Sequence, residues 1–194
     1  MPSRSSRRHR GARPSGRAVP PGAVLLLALL IGASASAAPR TMSLAPPSAE
    51  VALRAYALGM MPVDGNFTRF HGTLRFDADA VDRCEVELTI EAASLFMSQQ
   101  SIRDDVVSPS FLDAAAFPTL VYHGNCAAGA VRGMLTMHGQ THPLELELER
   151  SRTGLVATGM IHRFDWGMTE RPIMVGSTVR IRVTAPWPAG WPSP

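Results

Sequence analysis

Five of the six histidines, His71, His123, His138, His142 and His162, lie beyond residue 37 and are the side chains best placed by type to hold a metal or move a proton. Zinc needs several such ligands converging on one point. His138 and His142 lie four apart, but they flank Gly139 in a hairpin-like connection, with no cysteine or carboxylate motif beside them. They read as strand-end or solvent-facing residues. Nucleophilic chemistry has no better support. Ser177, within Met174-Val175-Gly176-Ser177-Thr178, lacks the second glycine of a nucleophile elbow. His162 and Asp165 are close in sequence, yet on a strand they point to opposite faces. No carboxylate pair stands out. The expectation is a protein that is not an enzyme and carries no metal.

The remaining candidates, Cys84 and Cys126, suit a bridge better than a reaction. Cys84 opens Cys84-Glu85-Val86-Glu87-Leu88-Thr89-Ile90-Glu91, and Cys126 closes the segment from Leu120. Antiparallel pairing of the two puts residue 88 opposite 122 and 90 opposite 120. Val86, Leu88, Ile90, Leu120 and Tyr122 then share a face, and 84 meets 126. A disulfide is expected there, against the alternative of two buried thiols.

These cysteines sit on elements that alternate apolar and polar residues with period two. Leu144 to Glu149 and Val179 to Val183 alternate in the same way. Such strands keep one face in the core and one in water. Many of them in so short a chain point to a sandwich or a closed barrel. Further strands are expected at 50–58, 67–77, 131–137, 143–149 and 155–164, the last alternating one extending over 178–184. Gly59 to Gly65 reads as turn chemistry and Gly72 as a bend or bulge. The only non-β insertion follows Ser94. Ser98 is expected to cap a helix over 99–107, and a further turn over 110–116 stops before Pro118. Its place suggests a flap over one barrel mouth.

Residues 1–37 read as a cleaved signal peptide. Six arginines and no acid precede the apolar run Ala23–Ile31, and small residues follow it up to Ala37. The run is too short to span ~30 Å of hydrocarbon as a helix. Export would lead to the periplasm or outside the cell, by the Sec or the twin-arginine route. Removing this segment leaves thirteen basic residues against sixteen acidic ones, a net charge of −3. Nothing then suggests a nucleic-acid partner. The expected organisation is 1–37 signal peptide, 38–47 flexible leader, 48–184 barrel and 185–194 flexible Pro/Trp tail. Methionines at 60, 61, 97, 134, 137, 160, 168 and 174 fit an adaptable apolar lining as well as ordinary core filling.

Several ordered pieces resemble the YceI-like family of secreted polyisoprenoid-binding proteins. They are Val63-Asp64-Gly65-Asn66-Phe67 with Phe70 to Asp77, Ser94, Ser110 to Asp113 with Phe117-Pro118, Val131 to Gly139 with Thr141-His142-Pro143, and Arg163 to Met168. The resemblance covers about residues 48–184. It implies an all-β, extended antiparallel lipocalin-like barrel of about eight strands, holding the apolar tail of a quinone or polyprenyl lipid. Three positions depart from the family pattern: Ala57, the segment Leu95 to Gln100, and Trp166. Together they make the mouth more apolar.

The ligand-binding residues expected on the barrel wall are Leu53, Phe70, Leu74, Phe76, Leu88, Ile90, Tyr122, Leu135, Leu146 and Ile181. Phe96, Met97, Ile102, Val106 and Phe111 are expected on the flap side, with Arg103 as a head-group contact. The expected role is a carrier or sequestering protein without a cofactor, touching membrane surfaces transiently to exchange lipid. A lipid hydrolase or isomerase in the same barrel is the alternative, and it would need an inward polar residue such as Tyr122 or His123. A third possibility is a filled barrel acting through its surface, in which Leu88→Trp and Leu146→Trp would clash.

Overall fold

The computed structural model describes residues 39–77, 80–171 and 173–187. The expected signal peptide and the end of the tail lie outside them. Eleven strands form one curled antiparallel sheet: β1 (Arg40–Ser43), β2 (Glu50–Ala57), β3 (Met61–Phe67), β4 (Phe70–Asp77), β5 (Ala80–Glu91), β6 (Leu95–Phe96), β7 (Thr119–Ala127), β8 (Ala130–Met137), β9 (Gln140–Arg150), β10 (Gly154–His162) and β11 (Thr178–Pro186). Their order is β1-β4-β5-β7-β8-β9-β10-β11-β2-β3-β6. Among the described residues one α-helix, α1 (Gln100–Val107), interrupts the strands. Thus the all-β barrel class holds, with three more strands than the alternation revealed.

Alternation explains most of the sheet. On β5 the side chains of Cys84, Val86, Leu88 and Ile90 are buried while Glu85 and Glu87 are exposed. On β9, Leu144 and Leu146 are buried between exposed glutamates. The β5–β7 register pairs Leu88 with Tyr122 and Ile90 with Leu120. Cys84 and Cys126 are bridged, their Cα atoms 4.7 Å apart.

Two tight hairpins rest on paired positive-φ residues, the geometry that matches strand twist. They are Ala128-Gly129 (φ 51° and 82°) and His138-Gly139 (φ 50° and 72°).

The missed strands each have a physical reason. Residues 38–47 are not a loose leader throughout: Arg40–Ser43 pairs with Phe76 to Thr73, and Met42 and Leu44 are buried. Four residues are too few to show a period. In β3, Pro62, Asp64 and Gly65 suggested a turn, yet the segment pairs with β2 over its whole length. Asp64 lies outward, 2.6 Å from Arg54. Gly65 leaves room for Leu95 and Met97, which would stand 3.0 and 3.1 Å from a β-carbon there.

Gly72 is not a bulge. It pairs regularly with Leu88, and a β-carbon would meet Glu87 O at 2.2 Å, so glycine permits close backbone approach. The irregularity falls between Phe76 and Asp77 instead. The tail also starts later than expected. β11 runs to Pro186, and Trp187 donates its indole N–H to Ser151 O at 2.9 Å while packing edge-on to Phe76. Finally, Gln99 rather than Ser98 occupies the N-cap of α1, without a side-chain cap bond.

Candidate ligand cavity

Among the described residues, the inward side chains of the barrel line two separate cavities. The larger, about 240 Å³, lies under α1. The smaller, about 50 Å³, lies at the disulfide end. Single strands connect the two. On β11 Val179 and Ile181 line the large cavity and Val183 the small one; on β7 Leu120 lines the large one and Tyr122 the small one. Val51, Ile90, Leu135 and Leu144 are buried and line neither cavity.

The sequence-expected residues divide between these spaces. Leu53, Met97, Ile102, Val106, Phe111 and Ile181 come together around the large cavity. Leu74, Leu88, Tyr122 and Leu146 line the small one. Phe70, Phe76, Ile90 and Leu135 are buried core that reaches neither. Phe96 does not line the flap side: it is exposed on β6. Arg103 is not on either wall. Its guanidinium instead donates to Leu95 O (3.2 Å) and Ala93 O (2.8 Å), fastening α1 to the segment before it. His123 is exposed, 4.0 Å from Glu87. The phenol of Tyr122 lies 3.1 Å from both Val131 O and Leu144 O, and burial pushes its pKa up to about 12. Neither of these two residues meets the large cavity.

Several lining residues were not anticipated. Val63 was hidden by the turn-like composition of Gly59 to Gly65, whereas Phe67 opened the strand expected at 67–77 without being placed on its wall face. Met137 and Val179 lie two residues from expected wall positions, Leu135 and Ile181, and simple extension of the alternation finds them. Met168, Met174 and Val175 come from the loop 167–177. That loop is pinned beside β2 by Leu58 N–H to Met174 O (3.0 Å) and Gly176 N–H to Tyr56 O (2.9 Å).

The most consequential omission is Arg163, which is only 2% exposed and forms part of the large cavity's wall. It follows β10 in a single 3-10 turn, Arg163–Trp166. Its guanidinium donates to Gly176 O and Val175 O, each at 3.0 Å, and to Met168 O. The rings of Phe164 and Phe111 lie 4.6 and 5.4 Å from its carbon centre. Desolvation lowers its pKa from the usual arginine value, but a guanidinium remains charged near neutrality. Trp166 anchors the same turn to β8, donating its indole N–H to Leu135 O at 3.2 Å and accepting from His138 Nδ1 at 2.9 Å. At the mouth, Arg171 on the loop meets Asp105 on α1 at 2.6 Å.

A curled sheet with a covered apolar cavity is the geometry against which known proteins can be compared. The YceI-like domain profile matches residues 43–186. The chain belongs to the YceI-like domain family. Among relatives, this YceI-like chain is 26% identical over 132 residues to a UPF0312 protein of Vibrio campbellii, covering 64% of this chain and 69% of that one. With a UPF0312 protein of Vibrio parahaemolyticus it shares 23% over 170 residues, 79% and 88% of the two chains.

Solved structures agree on the fold. Burkholderia cenocepacia BcnA superimposes with a TM-score of 0.60 at 18% identity, over 72% of this chain and 96% of BcnA. A polyisoprenoid binding domain from Saccharophagus degradans gives 0.53 at 13%, over 75% and 97%. The Campylobacter jejuni YceI protein gives 0.55 at 19%, over 63% and 82%.

Proposed function

We propose that this protein binds an isoprenoid-type lipid, a quinone or polyprenyl compound, by sheltering its apolar end in the cavity beneath α1. One observation carries the reading: a 240 Å³ cavity in a YceI-like barrel, with a wall that is apolar apart from Tyr56, Asp105, Arg163 and Arg171. A cavity of ~150 Å³ already admits benzene, so this space has room for roughly two five-carbon units. Burial at ~0.8 kcal/mol per CH₂-sized group makes each unit worth about 3 kcal/mol after loss of chain freedom. No polar constellation is required for such binding. A longer tail must displace core side chains or remain outside the mouth.

The setting we propose is the periplasm or the exterior, after removal of residues 1–37; the Cys84–Cys126 bridge suits an oxidising compartment. Exchange would occur at a membrane surface. Leu58, Met60, Met61, Ile173 and Met174 are exposed on the β2–β3 hairpin and the neighbouring loop, beside the mouth.

Mass spectrometry of organic extracts from gently purified protein tests the proposal. A recurrent isoprenoid, absent from a variant with Ile181→Trp in the cavity, is expected. Protein that is empty and takes up neither prenols nor quinones would overturn it.

A further inference from the structure

The large cavity carries an unbalanced positive charge. Its wall holds three groups charged at neutral pH: Asp105, Arg171 and Arg163. Asp105 and Arg171 face each other at 2.6 Å, so their charges offset one another at the mouth. Arg163 has no carboxylate within ion-pair distance among the described residues; Asp165, two residues on, is exposed. Three backbone carbonyls take one N–H each from its Nε, Nη1 and Nη2. A guanidinium has five N–H hydrogens, so two find no acceptor among the described residues.

A desolvated cation without a counter-charge on a largely apolar wall has one natural complement. Carboxylate and phosphate oxygens accept from guanidinium in charge-assisted, bidentate bonds, and low local polarity strengthens them. A neutral alcohol gains a single weaker bond. The aromatic rings of Phe111 and Phe164 hold the guanidinium in place, so little side-chain freedom is lost when a ligand arrives. We infer that the cavity selects amphiphiles with an oxyanion head, a prenyl phosphate or an isoprenoid or fatty carboxylate, and that Arg163 is the specificity-determining residue. The inference rests on the lipid-binding reading and adds the chemistry of the head. It also places the head inside, against Arg163, with the tail running along Ile181, Leu53 and Met97.

A tail-matched series separates the two ideas. Farnesol, farnesoic acid, its methyl ester and farnesyl monophosphate are titrated against the full protein, with inorganic phosphate as a competitor. The acid and the monophosphate are expected to bind at least tenfold tighter than the alcohol and ester. Which of the two binds better tells carboxylate from phosphate, and phosphate alone is expected not to displace either. Arg163→Gln is expected to close the tenfold gap by weakening the acid and the monophosphate at least tenfold more than farnesol, and Arg163→Lys to restore part of it. A purely structural arginine would instead weaken all four ligands alike, which would overturn the assignment. Equal affinities for all four heads in the native protein would overturn the head-group inference and leave lipid binding standing. That comparison needs no variant, so it decides even if substitution at 163 prevents folding. Failure of all four to bind would overturn both.

Discussion

The two ends of the barrel are built to opposite specifications. At the disulfide end, Cys84–Cys126 ties β5 to β7, β1 covers the flank of β4, and Trp187 closes over Phe76. Only about 50 Å³ is left open there. At the α1 end there is no covalent tie. The cover consists of one two-turn helix without a fully buried residue, a loop pinned by backbone bonds, and an exposed Asp105–Arg171 pair. That end holds about 240 Å³. The contrast teaches where rigidity and capacity reside: a braced base fixes the barrel, so the mouth is free to stay loosely packed and open.

The strongest way to break this contrast is to remove the brace. Cys84→Ser with Cys126→Ser releases a cross-link 42 residues apart and is expected to cost about 4 kcal/mol on the loop-entropy model, read by denaturant unfolding. Affinity of the folded protein for a short prenol should change less than twofold. A large affinity loss would mean the two ends are not independent.

Overpacking separates the ends next. Leu88→Trp and Leu146→Trp face the small cavity, which cannot absorb an indole, and are expected to destabilise by about 2–3 kcal/mol. Ile181→Trp faces the large cavity and should cost under about 1 kcal/mol while reducing ligand uptake at least tenfold. Equal costs at both ends would contradict the difference in free volume.

Alkaline titration probes the braced half alone. The Tyr122 pKa is raised from 10.0 to about 12, first by burial and then by Glu145, so the folded state holds its proton more tightly than the unfolded one. Its contribution is complete below pH 10 and is lost as pH climbs towards 12, by roughly 2 kcal/mol. Tyr122→Phe should flatten that slope in thermal melts between these pH values. An unchanged slope would remove Tyr122 as its cause.

The smallest effect belongs to the mouth. Arg171→Gln breaks a half-exposed ion pair and should alter global stability by less than about 1 kcal/mol. Amide exchange in α1 is expected to quicken while that in β5 and β7 does not. Uniform exchange changes would show that the flap does not open separately.

How much of this was readable in the sequence follows from what each element advertises. β5, β9 and β11 announce themselves, because the alternations over 84–91, 144–149 and 179–183 admit only one face-to-core assignment. The same logic delivered the disulfide register. β1 and β6, at four and two residues, are too short to carry a period. β3 was masked because Pro62 and Asp64 occupy outward positions, where turn formers do no harm to pairing. At the site, period two identifies inward residues but not their depth along the barrel. Leu135 and Ile90 therefore looked like cavity wall and are buried core that lines neither cavity. Arg163 was missed for a different reason: an arginine at a strand end ordinarily reaches water, and only the returning loop 167–177 encloses this one.

Methionine methyl NMR offers the most direct decision, since the chain carries its own probes at both ends and on the surface. Met97, Met137, Met168 and Met174 line the large cavity, Met42 the small one, and Met134 and Met160 face solvent on the sheet. Titration with a ten-carbon prenol is expected to shift the first four resonances and leave Met42, Met134 and Met160 in place. Saturating prenol that moves none of the four, or moves Met42 instead, would contradict a ligand site beneath α1.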